Sequence, residues 1–212
     1  MGHTDAAAPA DRAVLFDLDG TLLRYAEFGA VVAAPFREVC GRYDVAWGEH
    51  NSERFFEHFG ALTPDPFRRS FAETCERFGL DADPEALVAA RVDAECSLST
   101  VPDAAHETLD VLADAGHPLG VVTNGVGAVQ REKLAAHDLL DRFDAVVASY
   151  DVGAHKPALA PFEAARDALG AAEFVMVGDS DDDVEGARGV GMGALRVADG
   201  SFPTASAVRD AF

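Results

Sequence analysis

The segment Asp17-Leu18-Asp19-Gly20-Thr21-Leu22 sets two carboxylates two residues apart, directly after the apolar run Ala13-Val14-Leu15-Phe16. One carboxylate can attack an electrophile while its neighbour handles a proton. Both can face one space because the chain leaves extended geometry at Gly20, where a missing side chain permits unusual dihedrals. An ordinary Asp-Gly turn would use the same residues. Val122-Thr123-Asn124-Gly125 offers a hydroxyl and, at a helix start, backbone N–H groups suited to an anion, although a helix cap would read the same way. Lys156 precedes Pro157, which biases its backbone away from helix just before the next helical stretch. Its ammonium suits a phosphoryl group, although lysines are most often solvated on the surface. Gly178-Asp179-Ser180-Asp181-Asp182-Asp183 crowds four carboxylates together. Crowded like charges raise one another's pKa unless a cation intervenes, so the cluster favours a hard divalent metal with oxygen ligands. Asp181 and Asp182 could equally serve only to favour a helix start.

These residues need a frame that brings them together. Ala13–Phe16 reads as a buried parallel strand delivering Asp17 at its carboxyl end. Leu119–Val122 ends at Thr123, Asp144–Ala148 ends at Ser149, Phe174–Val177 ends at Gly178-Asp179, and Ala194–Val197 reads as a last strand. Between them, apolar residues at helical spacing predict helices over Ala104–Ala115, Val126–His137, Leu159–Leu169 and Asp182–Val190. Strand alternating with helix predicts an α/β fold, a doubly wound parallel sheet of the Rossmann-like kind. Ligands of such sheets bind outside the strands' carboxyl ends, which is where Asp17, Thr123 and Asp179 fall.

Residues 24–103 break the rhythm. Amphipathic patterns over Phe28–Tyr43, Glu49–Phe59, Pro66–Phe78 and Pro84–Ser99, with turn signals at Trp47-Gly48, Thr63-Pro64 and Gly79-Leu80-Asp81, predict an inserted all-α cap without strands. The expected division is a loose tail over residues 1–12, a catalytic core over 13–23 and 104–212, and a helical cap over 24–103.

The four segments, taken in order, resemble the motifs of the haloacid dehalogenase-like hydrolases, most of which are phosphatases. The resemblance covers residues 13 to about 198. It implies that Asp17 attacks phosphorus to form an aspartyl-phosphate, and that Asp19 protonates the leaving oxygen and then activates water. It implies that Thr123 and N–H groups near Asn124 hold phosphoryl oxygens while Lys156 balances charge. Mg2+ would bind Asp17, the backbone carbonyl of Asp19, and Asp179, with Asp183 nearby; the spacing leaves Asp182 as an alternative to Asp183. The insertion falls where one branch of the family carries a helical cap, so Arg24, Tyr25, Arg68 and Arg69 become candidate specificity residues. Dehalogenases of this fold lack an acid at the position of Asp19, which favours phosphoryl transfer. A phosphomutase would keep all four motifs. A receiver-type phospho-accepting module would gather similar residues but lacks an inserted cap. Gln130 and Leu134 after Thr123-Asn124-Gly125 are similar to the branch containing pyrimidine nucleotidases and acylneuraminate phosphatases, and phosphoglycolate and other sugar phosphates stay open as substrates.

Composition bounds the remaining possibilities. The chain has 212 residues, 49% of them hydrophobic, and a formal charge of −20. No apolar run is long enough to span a membrane, so a soluble protein is expected, and the resemblance implies a small phosphorylated metabolite as its substrate. The negative charge argues against nucleic-acid backbones as partners. Three well-separated cysteines, Cys40, Cys75 and Cys96, suggest neither a disulfide framework nor a zinc site and fit a reducing cytoplasm. Only two of the 17 basic residues are lysines, Lys133 and Lys156, and the acidic excess is spread along the chain as in proteins of salt-loving organisms. Lysine scarcity makes Lys156 stand out. Oligomeric state is not encoded in any of these features.

Overall fold

The computed structural model describes residues 9–197 and 201–212. Most of the expected tail, residues 1–8, lies outside the described residues. Pro9–Asp11 form a single 3-10 turn, and Arg12 already belongs to the first strand. In chain order the elements are β1 (Arg12–Phe16), β2 (Arg24–Tyr25), α1 (Phe28–Cys40), α2 (Val45–Gly60), α3 (Pro66–Phe78), α4 (Pro84–Ser97) and β3 (Ser99–Thr100). They continue with α5 (Asp103–Asp114), β4 (Leu119–Thr123), α6 (Gly127–Ala136), β5 (Ala145–Ala148), α7 (Ser149–Val152) and α8 (Ala160–Leu169). β6 (Glu173–Gly178), α9 (Asp181–Gly189), β7 (Gly193–Arg196) and α10 (Ala205–Arg209) follow.

Two compact units result, one made of the residues up to Arg24 and from Thr100 onward, the other of Tyr25–Ser99. In the first unit five strands form a parallel sheet in the order β5-β4-β1-β6-β7. This is the α/β, Rossmann-like architecture expected from the alternating pattern. All five predicted strand runs take part. Their alternation sends Val14, Phe16, Val121, Val175 and Val177 to one face, where they pack with Leu109 and Leu112 of α5, Leu134 of α6 and Val208 of α10. Ala13, Leu15, Val122 and Met176 meet Phe162 and Ala165 of α8 and Ala187 of α9 in a second cluster. Helices therefore cover both faces, which is why the strands read as nearly continuous apolar runs. β1 lies at the centre, and the chain steps to β4 on one side of it and β6 on the other. That is the switch point at which such sheets bind ligands.

The second unit is built from α1 to α4. Phe36, Trp47, Phe71, Cys75 and Leu87 form its core, with Phe36 5.6 Å from Phe71 and 5.8 Å from Trp47 between ring centroids. Asn51 Nδ2 donates to Ser70 Oγ at 3.0 Å between α2 and α3, so the polar atoms buried there are paired. Three expectations need correction. Trp47-Gly48 is not a turn but lies within the opening turns of α2, capped by the Asp44 side chain, which accepts from Ala46 N. The stretch expected to lack strands contains β2 and β3, which pair as a two-stranded sheet at the two places where the chain passes between units. Residues 100–103 and Arg24 belong with the sheet-containing unit. These strands escape a periodicity reading because two residues carry no measurable alternation.

Candidate active site

Asp17 follows β1 directly, and its backbone N–H donates to Val177 O at 2.9 Å, extending the β1–β6 ladder by one residue. The chain then closes a tight loop in which Leu23 N donates to Leu18 O and Gly20 N to Leu23 O, both at 2.8 Å. Gly20 adopts φ +93°, a left-handed conformation that side-chain-bearing residues avoid. Leu18, Leu22 and Leu23 are buried and anchor the loop from below. Asp17 and Asp19 consequently project from a backbone fixed both by the sheet and by its own core contacts.

Lys156 Nζ donates to Asp17 Oδ1 at 2.6 Å, to Asp183 Oδ1 at 2.5 Å and to Val122 O at 2.8 Å, using all three ammonium protons. The side chain is 4% exposed. Burial opposes its charge, but Asp17 and Asp183 outweigh burial and hold its pKa above the ordinary lysine value. Burial pushes the Asp17 carboxyl up to about 7; Lys156 opposes this, and the nearby Asp183 and Asp19 reinforce it. One ammonium neutralises only one of the two carboxylates it touches, which leaves Asp17 short of positive charge.

Asp179 follows β6 and receives a hydrogen bond from Thr21 Oγ1 at 3.1 Å. Asp183 caps α9 together with Ser180: Asp183 Oδ2 accepts from Ser180 N and Oγ at 3.1 and 2.6 Å, and Ser180 Oγ accepts from Asp183 N at 3.2 Å. Asp182 is exposed, whereas Asp183 is buried and touches Lys156. Oxygens of Asp17, Asp179 and Asp183 lie within 4.8 Å of one another, one from each carboxylate.

These residues fit a divalent cation by donor type, since all three are hard oxygen ligands. They also fit by charge. Asp17, Asp19, Asp179 and Asp183 face two ammonium groups, Lys156 and Lys133, so two formal negative charges stay uncompensated.

Thr123 ends β4 and is buried, with its Oγ1 accepting from Gln130 Nε2 at 2.8 Å. The phosphate-binding expectation at Asn124 rests on backbone N–H groups, and its side chain is engaged within the protein. Its Oδ1 accepts from Lys156 N at 2.8 Å and its Nδ2 donates to Lys156 O at 3.2 Å, so the amide is spent on holding the lysine backbone. The Gly125 N–H is likewise taken, by Ser149 Oγ at 2.9 Å. The Lys156–Pro157 peptide is cis. Among the candidate specificity residues, Arg68 pairs with Glu85 at 2.6 Å on an exposed face, and Arg69 Nε donates to Pro64 O at 2.8 Å. Arg24 and Tyr25 form β2, with Tyr25 edge-on to Phe28 at 5.3 Å.

Two further side chains, outside the expected site residues, reach Asp19. Lys133 Nζ donates to both oxygens of Asp19, at 2.5 and 2.6 Å, and Gln130 Nε2 donates to Asp19 Oδ2 at 3.0 Å. Lysine scarcity, which drew attention to Lys156, applies equally to Lys133. Its place in the last turn of α6, away from any strand end, carries no local signal of a site.

The family model described as "Hydrolase: haloacid dehalogenase-like hydrolase" matches residues 12–191. The chain is 30% identical over 182 residues to the pyrophosphatase PpaX of Halalkalibacterium halodurans, covering 84% of this chain and 80% of that one. It is 32% identical over 197 residues to a phosphoglycolate phosphatase of Pectobacterium atrosepticum, covering 88% and 80%. The fold is similar to the crystal structure of a 2-haloacid dehalogenase from Pseudomonas syringae pv. tomato DC3000, with a TM-score of 0.71, 27% identity and coverage of 87% and 85%.

Proposed function

Because the chain belongs to the haloacid dehalogenase-like hydrolases, with phosphatases among its relatives, we propose that it is a magnesium-dependent phosphatase that cleaves a small phosphomonoester through an aspartyl-phosphate on Asp17. The observation that carries this reading is the division of labour between the two aspartates of one loop. Asp17 shares a carboxylate cluster with Asp179 and Asp183, whereas the Asp19 carboxylate pairs with a separate ammonium, Lys133. A nucleophile within reach of a cation and a distinct proton-handling group beside it are what phosphoester hydrolysis needs.

An Asp17 carboxylate oxygen attacks phosphorus while the bond to the leaving oxygen breaks, and Asp19 supplies that oxygen with a proton. Water then attacks the aspartyl-phosphate, gives its proton to Asp19, and restores Asp17 as phosphate departs. Thr123, whose lone pair is occupied by Gln130, directs its hydroxyl proton to a phosphoryl oxygen. Lys156 offsets negative charge on Asp17 and the transferring group. Asn124 keeps that lysine in place through its backbone. Asp17, Asp179 and the backbone carbonyl of Asp19 would hold Mg2+, with Asp183 ligating directly or through water. When bound, the ion supplies positive charge opposite the phosphoryl oxygens.

The unit Tyr25–Ser99, inserted just after the nucleophile loop, acts in this reading as the cap that selects the leaving group. Tyr25, Arg68 and Arg69 within it, and Arg24 just before it, are the candidate specificity residues. The substrate is a small phosphorylated metabolite. We place the protein in a reducing cytoplasm from the odd number and wide spacing of Cys40, Cys75 and Cys96 in the sequence. No helix among the described residues is long and apolar enough to cross a membrane.

Likeness to a 2-haloacid dehalogenase favours a second reading, halide displacement by the same Asp17. A halide leaves without a proton, so that chemistry gives Asp19 no task in the first step. One experiment separates them. Wild type and Asp17→Asn are assayed for phosphate release from a panel of small phosphomonoesters, with Mg2+ or with EDTA, and for halide release from a 2-haloacid. Phosphate release by wild type that is abolished by EDTA and by Asp17→Asn is expected. Halide release without phosphate release, or full phosphatase activity in Asp17→Asn, would overturn the proposal.

A further inference from the structure

We infer that Gln130 and Lys133 are positioning residues that aim Asp19 for its proton transfers, an inference that rests on the acid–base reading of Asp19 given above. The two side chains stand three residues apart on α6, on one face of the helix. Lys133 Nζ contacts both Asp19 oxygens at 2.5 and 2.6 Å. Gln130 donates from one nitrogen to Asp19 Oδ2 at 3.0 Å and to Thr123 Oγ1 at 2.8 Å, and so ties the loop after β1 to the end of β4.

Burial and composition both say that these contacts are more than packing. Lys133 is 1% exposed and Gln130 3%. Taking an ammonium out of water costs several kcal/mol unless a paired charge compensates it. An aliphatic side chain would fill the same space without that cost. Yet the position holds one of two lysines in a chain that otherwise uses arginine for positive charge. The Asp19 side chain remains 37% exposed, so it is gripped on the α6 side and open on another. Glycine at position 125 belongs to the same arrangement, because a Cβ there would come within 2.7 Å of Gln130 Cγ, Cδ and Nε2. The turn after Thr123 therefore makes room for the glutamine that reaches Asp19.

The two chemical steps draw on Asp19 differently. With 4-nitrophenyl phosphate, the Asp17 oxygen–phosphorus bond forms as the phosphorus–aryl oxygen bond breaks, and the phenolate departs with its electron pair and needs no proton. In the second step water adds to phosphorus, its proton passes to Asp19, and the Asp17 oxygen–phosphorus bond breaks. A misplaced Asp19 thus spares the first step on this substrate and slows the second. A general loosening of the fold would slow both.

Rapid-mixing assays with 4-nitrophenyl phosphate and Mg2+ test the inference on wild type, Asp19→Asn, Lys133→Met, Gln130→Met and the Asp19→Asn/Lys133→Met double variant. Lys133→Met is expected to release about one equivalent of nitrophenolate per chain in a burst, then turn over ~10- to 100-fold more slowly than wild type, with KM falling alongside kcat so that kcat/KM is nearly unchanged. Gln130→Met shows the same burst with a smaller loss, and it decides the matter if Lys133→Met does not fold. The double variant turns over no more slowly than Asp19→Asn alone, since residues acting through one group are not additive. Turnover of both single variants within about twofold of wild type, or losses that multiply in the double variant, would overturn the inference while leaving the phosphatase reading intact. A wild type that releases no phosphate from any ester would overturn both.

Discussion

Gly20 and Asp179 lie at opposite ends of the sequence, yet a Cβ on Gly20 would lie within 2.9 Å of Asp179 Oδ1, Cγ and Oδ2. The glycine therefore has two independent reasons to be there. Its φ of +93° excludes most side chains, and its missing Cβ is the space into which the Asp179 carboxylate fits against Thr21. The loop that carries Asp17 also shapes the seat of the acidic residue that follows β6.

Gly20→Ala should accordingly damage the site more than the fold. The strained conformation costs about 1–3 kcal/mol, and the methyl group displaces Asp179. Mg2+ affinity, read by calorimetric titration, is expected to fall ~10- to 100-fold, the range seen when groups that orient a metal ligand are disturbed. Far-UV circular dichroism should stay that of wild type.

Asp17→Asn should remove activity and raise stability. The Asp17 carboxyl is pushed up to about 7 by burial, against Lys156 and with help from Asp183. A folded-state pKa above the unfolded value contributes stability at low pH that is lost as pH rises through about 7. Without metal, wild type and Asp17→Asn should therefore melt at similar temperatures near pH 4. The variant should melt higher at pH 8, by an amount bounded at roughly 4 kcal/mol. Saturating Mg2+ narrows the gap by stabilising wild type in preference. Thermal melts across that pH range check the sign, and a variant less stable than wild type at pH 8 would refute it.

Asn124→Ala tests the role assigned to the amide as holder of Lys156. Losing the two bonds to the Lys156 backbone is expected to cost about 1–2 kcal/mol of stability. It should lower kcat ~10-fold or more through misplacement of the ammonium. Asn124→Asp keeps the acceptor for Lys156 N but loses the donor to its carbonyl, so it should fall between Asn124→Ala and wild type. If Asn124 instead bound substrate phosphate directly, Asn124→Asp would be the worse variant because of charge repulsion, and KM values on one phosphomonoester distinguish the two.

Much of the sheet and part of the site could be read from the chain alone. Buried parallel strands must be apolar on both faces, so Ala13–Phe16, Leu119–Val122 and Phe174–Val177 announce themselves as runs. Whatever polar residue ends each run is placed at the ligand-binding rim, which is why Asp17, Thr123 and Asp179 were identifiable. The helices of the inserted unit were visible through their apolar spacing and through the Pro66 and Pro84 starts. β2 and β3 were not, because pairs of that length are defined by a distant partner and not by local pattern.

The tertiary structure decided which polar groups actually meet. Sequence spacing could not choose between Asp182 and Asp183, since either could follow β6 at the start of a helix. The rotation of α9 buries Asp183 against Lys156 and leaves Asp182 in solvent. Nor could spacing show that Asn124 serves Lys156 or that Lys133 serves Asp19. Those pairs are 32 and 114 residues apart, and hydrogen bonds across such distances exist only once the strands that carry them are side by side. Residue types and strand ends determined what chemistry this chain could perform. Packing around β1 determined which carboxylates gather with Asp17, which ammonium pairs with each, and therefore how that chemistry is divided among them.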